Sequence, residues 1–367
     1  MPKLAILADP HSTHTIKWVK NLSRKGFQIL LIGISDKPTS LYNDVPNVTC
    51  ECYIVNKKVH RKRKLDFIKL TNLKHFFKIK KTIKDYDPDI LHSFYASSYG
   101  LIGALCSIKP FVISVWGSDV FEFPKKSILH KLVLKFSLNR ATCICATGKG
   151  LKTESEKYTS NKIHVIPFGI NIDYFKPVTN TQKNTITITI GTVKHFKKIY
   201  GIETLIKSIS KLKEDKNYSN LKLLLIGDGE EKKNYIKLAN KLGIVNDINF
   251  TGFISNEQLH PQYQKMDIVV IPSIRESFGI SVLEGMSCEI PVIASDISGF
   301  NEVGNTETIT FFKPENEIDL ANKIKACITD YKAYKVKAVK ARKRVVNLFS
   351  EKACLEKKVN LYKQLLS

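Results

Sequence analysis

The chain has no apolar run near the roughly 18 to 20 residues that a helix needs to cross a bilayer, so no such anchor is expected. Its N-terminus, Met1-Pro2-Lys3-Leu4-Ala5-Ile6-Leu7, runs straight into a strand pattern and leaves no room for a signal peptide. A cytoplasmic location is the expectation. The eight cysteines form no CxxC spacing and no cluster with histidine, which argues against a zinc site or a disulfide framework. Cys50/Cys52 and Cys143/Cys145 sit two apart among strand formers, so each pair points to one face of a strand as small buried hydrophobes. Low-complexity segments are absent. Acidic residues are scarce: 34 Asp and Glu face 58 Lys and Arg, a net charge of +24. Such a surface attracts an anion, whether nucleic acid, anionic lipid or a phosphorylated substrate.

What remains is a full-sized globular chain. Its 367 residues suit two domains, and 43% hydrophobic content suffices for buried cores. Apolar runs at 4–8, 27–34, 48–55, 90–94, 111–116, 143–146 and 163–167 read as strands, with helical spacing between them. The segment 15–25 is one such helix, stopped by Gly26. A polar stretch, 177–184, reads as a linker. The pattern then restarts with strands at 186–191, 221–226, 248–250, 268–271 and 291–294, and ends in a Lys-rich helical tail from about Ala333. Near-continuous apolar strands alternating with helices imply parallel sheets covered on both faces. The reading is α/β, with an N-terminal Rossmann-like domain over 1–176 and a second over 184–349. The C-terminal helix, about 350–367, is placed to pack back on the first.

The richest segment is Ile271-Pro272-Ser273-Ile274-Arg275-Glu276-Ser277-Phe278-Gly279-Ile280-Ser281-Val282-Leu283-Glu284-Gly285-Met286. A buried strand ends at Pro272, and a helix begins near Ser277 to Gly279. Gly279 admits close approach to the backbone, and the free N–H groups of a first helical turn favour an anion. Glu276 sits at the helix mouth, and Glu284 lies about 7–8 Å beyond Gly279 along the helix axis. Two carboxylates so spaced accept hydrogen bonds from hydroxyls at the two ends of a diphosphate.

This segment resembles the donor motif of retaining glycosyltransferase family 4, as found in bacterial cell-surface polysaccharide glycosyltransferases. The matching parts are Pro272-Ser273, Glu276, Glu284, Pro291-Val292-Ile293-Ala294-Ser295-Asp296, Gly299 and Glu302. The resemblance implies the GT-B fold, two Rossmann-like doubly wound domains facing a central cleft. It implies that Glu276 meets donor-sugar hydroxyls, that Glu284 meets the ribose, and that backbone amides of Phe278, Gly279 and Ile280 face sugar and phosphate. Gly227, in Gly227-Asp228-Gly229, and Ile254, after Phe250-Thr251-Gly252-Phe253, also match donor-side segments. The family works without a metal or other cofactor, so cations must offset the departing diphosphate. In Gly191-Thr192-Val193-Lys194-His195-Phe196-Lys197-Lys198-Ile199-Tyr200-Gly201, Thr192 stands where the family has Arg. Lys194 and Lys198 are the candidates for the two charges, with Lys197 as rival.

The first half resembles the family more loosely. Asp89-Ile90-Leu91-His92-Ser93-Phe94 matches a segment with a catalytic-region histidine here or two residues later, where Phe94 stands. In Trp116-Gly117-Ser118-Asp119, Trp116 replaces a family His, and Asp119 either meets sugar hydroxyls or caps a helix. His14 and Thr15, in the first strand–helix loop with His11, are candidates for acceptor contacts. Two basic stretches with interleaved apolar residues, 57–84 and 125–140, suit an anionic membrane. The resulting expectation is transfer of a hexose-type sugar from a UDP- or GDP-sugar to a glycan or lipid-linked acceptor. It would occur on the inner face of the cell membrane, without nucleic acid. Two alternatives stand beside it: a basic nucleic-acid-binding protein, and a GT-B protein that has lost transfer.

Overall fold

The computed structural model describes residues 1–55, 71–177 and 187–367, with the side chains of 71–74 left aside. Much of the first basic stretch (57–70) and most of the linker lie outside the described residues. The chain divides into two compact units. Unit 1 is Met1–Phe168 with Cys354–Ser367, and unit 2 is Gly169–Ala353.

Unit 1 is built on β1 (Lys3–Leu7), β2 (Gln28–Ser35), β3 (Val48–Ile54), β4 (Ile90–Phe94), β5 (Phe111–Val115), β6 (Cys143–Ala146) and β7 (Ile163–Val165). Their order is β3-β2-β1-β4-β5-β6-β7, and every pairing is parallel. β4 and β5 are buried at all five positions, the pattern of strands covered on both faces. One face of the sheet packs Ala5, Leu7, Leu91 and Ile113 against Ile79, Leu134 and Leu138. The other face packs Leu4, Ile6 and Ile90 against Trp18, Leu22, Leu355 and Tyr362, the last two from the C-terminal helix.

Unit 2 repeats this plan with β8 (Ile188–Val193), β9 (Leu221–Ile226), β10 (Ile248–Gly252), β11 (Ile268–Ile271), β12 (Val292–Ser295) and β13 (Thr310–Phe312). Their order is β10-β9-β8-β11-β12-β13, again parallel throughout. β13 has only three residues, too few for periodicity to reveal, and the sequence reading omits it. In both sheets the order reverses beside the first strand: β1 lies between β2 and β4, and β8 between β9 and β11. Loops leaving those neighbours go to opposite faces, which opens a crevice at the strand carboxyl ends. No described helix is long and apolar enough to cross a membrane.

Candidate active site

In unit 2 the candidate residues gather where β8, β9 and β11 end. Thr192 is a buried member of β8, so the loop proper starts at Lys194. The Lys194 N–H donates to Ile226 O at 3.0 Å, fastening this loop to the end of β9. Gly227 follows at φ +143°, and a Cβ there would fall 1.9 Å from Lys194 O, so only glycine fits. On the other side, Ile274 N–H donates to Ile199 O at 2.9 Å, tying the loop after β11 to the loop after β8.

These ties bring together two charges 82 residues apart in sequence. The Lys194 ammonium pairs with the Glu276 carboxylate and lies 5.1 Å from the centre of the Tyr200 ring. Their side chains are 8% and 18% exposed. At that depth, losing one partner leaves a poorly solvated charge, unlike a surface ion pair. Ser273 Oγ donates to Glu276 Oε2 at 3.5 Å.

The helix Ile280–Ser287 begins just beyond Glu276. Its cap, Gly279, is left-handed at φ 83° and ψ 53°, and a Cβ there would fall 2.7 Å from Phe300 Cδ1. Val282 and Leu283 N–H donate to Gly279 O at 3.1 and 3.2 Å. The amides of Gly279, Ile280 and Ser281 therefore precede the helical ladder and supply its anion-favouring end. The Phe278 ring turns into the unit, 5.9 Å from that of Phe349.

Glu284, one turn into the helix, is 5% exposed. Tyr263 OH donates to its Oε2 at 2.7 Å. Burial first, and the Glu284 charge second, push the Tyr263 phenol well above its ordinary value, so it remains a donor. Sequence reasoning misses Tyr263, because no motif spacing marks a partner 21 residues upstream. Lys197 and Lys198 are exposed, and Ile254 is half-buried beyond β10.

Unit 1 treats its candidates differently. His92 on β4 has no exposed surface. Its Nδ1 lies 2.5 Å from Tyr362 OH and its Nε2 lies 2.8 Å from Ser114 Oγ. Lys358 Nζ donates to the same Ser114 Oγ at 3.2 Å and stands 4.9 Å from the centre of the Trp18 ring. Burial, then Lys358, holds the His92 pKa well below the usual histidine range, so the ring is neutral. With both nitrogens engaged inside the protein, His92 ties β4 and β5 to the C-terminal helix. This corrects the expectation of a direct catalytic role.

Asp119 is likewise fully buried. Its carboxylate accepts from Ala96 N at 2.9 Å, Gly117 N at 2.8 Å and Trp116 N at 3.1 Å. Burial raises its pKa, and those donors oppose the rise. It closes the turn after β5 and offers no free oxygen face to an acceptor, which corrects that expectation. Thr15 is also fully buried, within the helix Thr13–Arg24, and cannot touch an acceptor in this arrangement. His14 is only half-buried. It stacks on Phe168 at 3.7 Å between ring centres and meets Trp116 edge-on at 5.7 Å. Phe94 joins the same cluster, 5.3 Å from Trp116. Burial, then Lys17, lowers the His14 pKa to about 4.

Two Rossmann-like units of parallel sheet define an α/β protein of the GT-B fold. Residues 176–344 match the family model for glycosyl transferases group 1, and residues 3–148 match the glycosyl transferase 4-like model. The protein is a glycosyltransferase. It is similar to a capsular polysaccharide biosynthesis glycosyltransferase of Staphylococcus aureus, CapM, at 28% identity over 83% of this chain and 84% of that one. Sucrose-phosphate synthase from Thermosynechococcus elongatus shares its fold at a TM-score of 0.81 and 21% identity, over 100% of this chain and 99% of that chain. HepE of Anabaena, solved with UDP and glucose, shares it at 0.78 and 18% identity, over 99% and 100%.

Proposed function

We propose that the enzyme is a retaining hexosyltransferase of cell-surface polysaccharide synthesis, moving sugar from a UDP- or GDP-sugar to a glycan or lipid-linked acceptor. The observation that carries this reading is the shielded Lys194–Glu276 pair beside the Gly279 helix mouth. A diphosphate suits Lys194 and the amides of Gly279, Ile280 and Ser281. Sugar hydroxyls suit Glu276, and ribose hydroxyls suit Glu284, whose carboxylate Tyr263 already orients. HepE, bound to UDP and glucose, and CapM, named for capsule synthesis, support the donor and pathway class.

In the proposed reaction the acceptor hydroxyl attacks the anomeric carbon on the face from which the diphosphate leaves. The C–O bond to the phosphate breaks, the bond to the acceptor oxygen forms, and the acceptor proton passes to the departing phosphate oxygen. Lys194 and the helix-mouth amides offset the charge on the leaving diphosphate without a resident metal. Lys197 and Lys198 add to the local positive potential.

The test is Glu276→Ala. Transfer by the folded fraction should fall by at least about a hundredfold, the scale of losing one preorganised group, while the thermal midpoint drops because Lys194 loses its partner. Near-wild-type turnover would overturn the donor assignment. Product anomeric configuration, read by proton NMR, decides retention: an inverted linkage would overturn that part alone.

A further inference from the structure

The helix Ile128–Arg140 is apolar on two opposite faces. Leu134 and Leu138 are fully buried in the core of unit 1. On the outer side Ile128 is 78% exposed, Leu129 46%, Leu132 56% and Phe136 39%. Ile128, Leu132 and Phe136 are four residues apart and form one stripe. Lys131, Lys135 and Arg140 lie on the same helix, and Lys125 and Lys126 precede it. The Arg140 guanidinium stands 5.5 Å from the centre of the Phe136 ring. No acidic residue occurs anywhere in 123–140. The neighbouring helix Tyr99–Cys106 adds Leu105, also exposed.

Scattered exposed leucines need no explanation, but an apolar stripe whose own helix carries charges of one sign only does. We propose that this face docks on an anionic lipid bilayer, with Ile128, Leu129, Leu132 and Phe136 entering the interface and the lysines meeting lipid phosphates. Charge selects the occupant. A second copy placed symmetrically would bring lysines against lysines, whereas an anionic membrane complements both the stripe and its border. Of the two basic stretches in the sequence, 125–140 is the one that lies wholly within the described residues. The proposal does not depend on the donor chemistry, because lipid binding is measured without substrate.

The experiment is co-sedimentation of the full chain with vesicles of phosphatidylcholine alone or with half phosphatidylglycerol, at about 0.15 M salt, where the Debye length is about 8 Å. The wild type should bind the anionic vesicles and leave the neutral ones. Leu132→Glu/Phe136→Glu should weaken binding at least about thirtyfold by removing two large apolar side chains. Lys131→Gln/Lys135→Gln should weaken it about fivefold per lysine and flatten its salt dependence. Ile128→Glu, at the most exposed position of the stripe, is the second variant should the double one fold poorly. Unchanged thermal midpoints and unchanged UDP- or GDP-sugar thermal shifts would separate lost docking from lost structure. Wild type that ignores anionic vesicles, or glutamate variants that bind like wild type, would overturn the proposal. So would a concentration-dependent dimer that the glutamate variants abolish.

Discussion

The two units share one plan, yet they use the ends of their strands in different ways. In unit 2, Lys194 and Glu276 meet across separate loops and keep part of their charge within reach of a ligand. In unit 1, His92 in the middle of β4, Asp119 after β5 and Thr15 in the first helix are wholly buried. His92 and Asp119 spend their hydrogen-bonding capacity on Tyr362, Ser114 and turn amides. The same topology thus presents an ionic site in one unit and a largely buried aromatic cluster, His14 with Trp116, Phe168 and Phe94, in the other. Strand order creates a crevice, but the identity and burial of the side chains decide whether polar chemistry faces it.

The sharpest way to break this comparison is Lys194→Ala. If unit 2 holds the ionic site, transfer should fall about a hundred- to a thousandfold, because the leaving diphosphate loses a preorganised cation and Glu276 loses its partner. His92→Phe should separate stability from activity. It leaves Tyr362 OH and Ser114 Oγ without their ring partners, a cost of about 2–4 kcal/mol in denaturant unfolding. Transfer by the folded fraction should change by less than about threefold. Transfer that collapses with stability intact would make His92 catalytic and erase the contrast.

Acidification probes the same difference. His14, His92 and His164, all in unit 1, have lowered pKa values, with burial as the first cause of each. Below pH 6.5 the unfolded chain takes up protons that these rings refuse, so their stabilising contribution is complete above pH 6.5. It declines as pH falls, for His14 down to about 4. Asp119, with a raised pKa, acts in the opposite direction as its carboxyl titrates. Thermal unfolding followed from about pH 7.5 to about pH 5 should show unit 1 losing stability before unit 2, and His14→Phe should flatten the slope. A pH-independent midpoint for unit 1 would refute this.

The sequence exposes most of the plan because parallel strands covered on both faces read as continuous apolar runs, as β4, β5 and β11 do. Glu276 and Glu284 are visible because a local spacing carries them. Their pairings are not: Lys194, itself legible as a candidate cation, and Tyr263, which no motif marks, meet them only through folding, and neither distance in sequence has a period. His92 misleads for a related reason. Its place in the Asp89–Phe94 segment is local information, whereas its setting in mid-strand against Tyr362 and Lys358 depends on the other end of the chain.

The Lys194–Glu276 pair also bears on how donor and spent nucleotide differ. Under the proposed function, a nucleoside diphosphate would give Lys194 a new anion but leave Glu276 facing phosphate charge without its cation. A nucleotide sugar would supply Glu276 with hydroxyls as well. Glu276→Gln removes that repulsion, so calorimetry should show UDP or GDP bound about tenfold tighter than by wild type, equivalent to about 1.4 kcal/mol. No gain in affinity would mean that Glu276 does not oppose the spent nucleotide.

The smallest effect should come from the neighbouring lysines. Lys197 and Lys198 share the loop with Lys194 but are exposed, and their charges are screened by solvent and salt. Lys197→Ala and Lys198→Ala should each change kcat/KM by less than about threefold, and the deficit should vanish as salt is raised. A loss comparable to that of Lys194→Ala in either variant would move the phosphate contact to that residue. It would also show that exposure in the donor-free enzyme does not distinguish the three lysines, because the loop rearranges when the diphosphate binds.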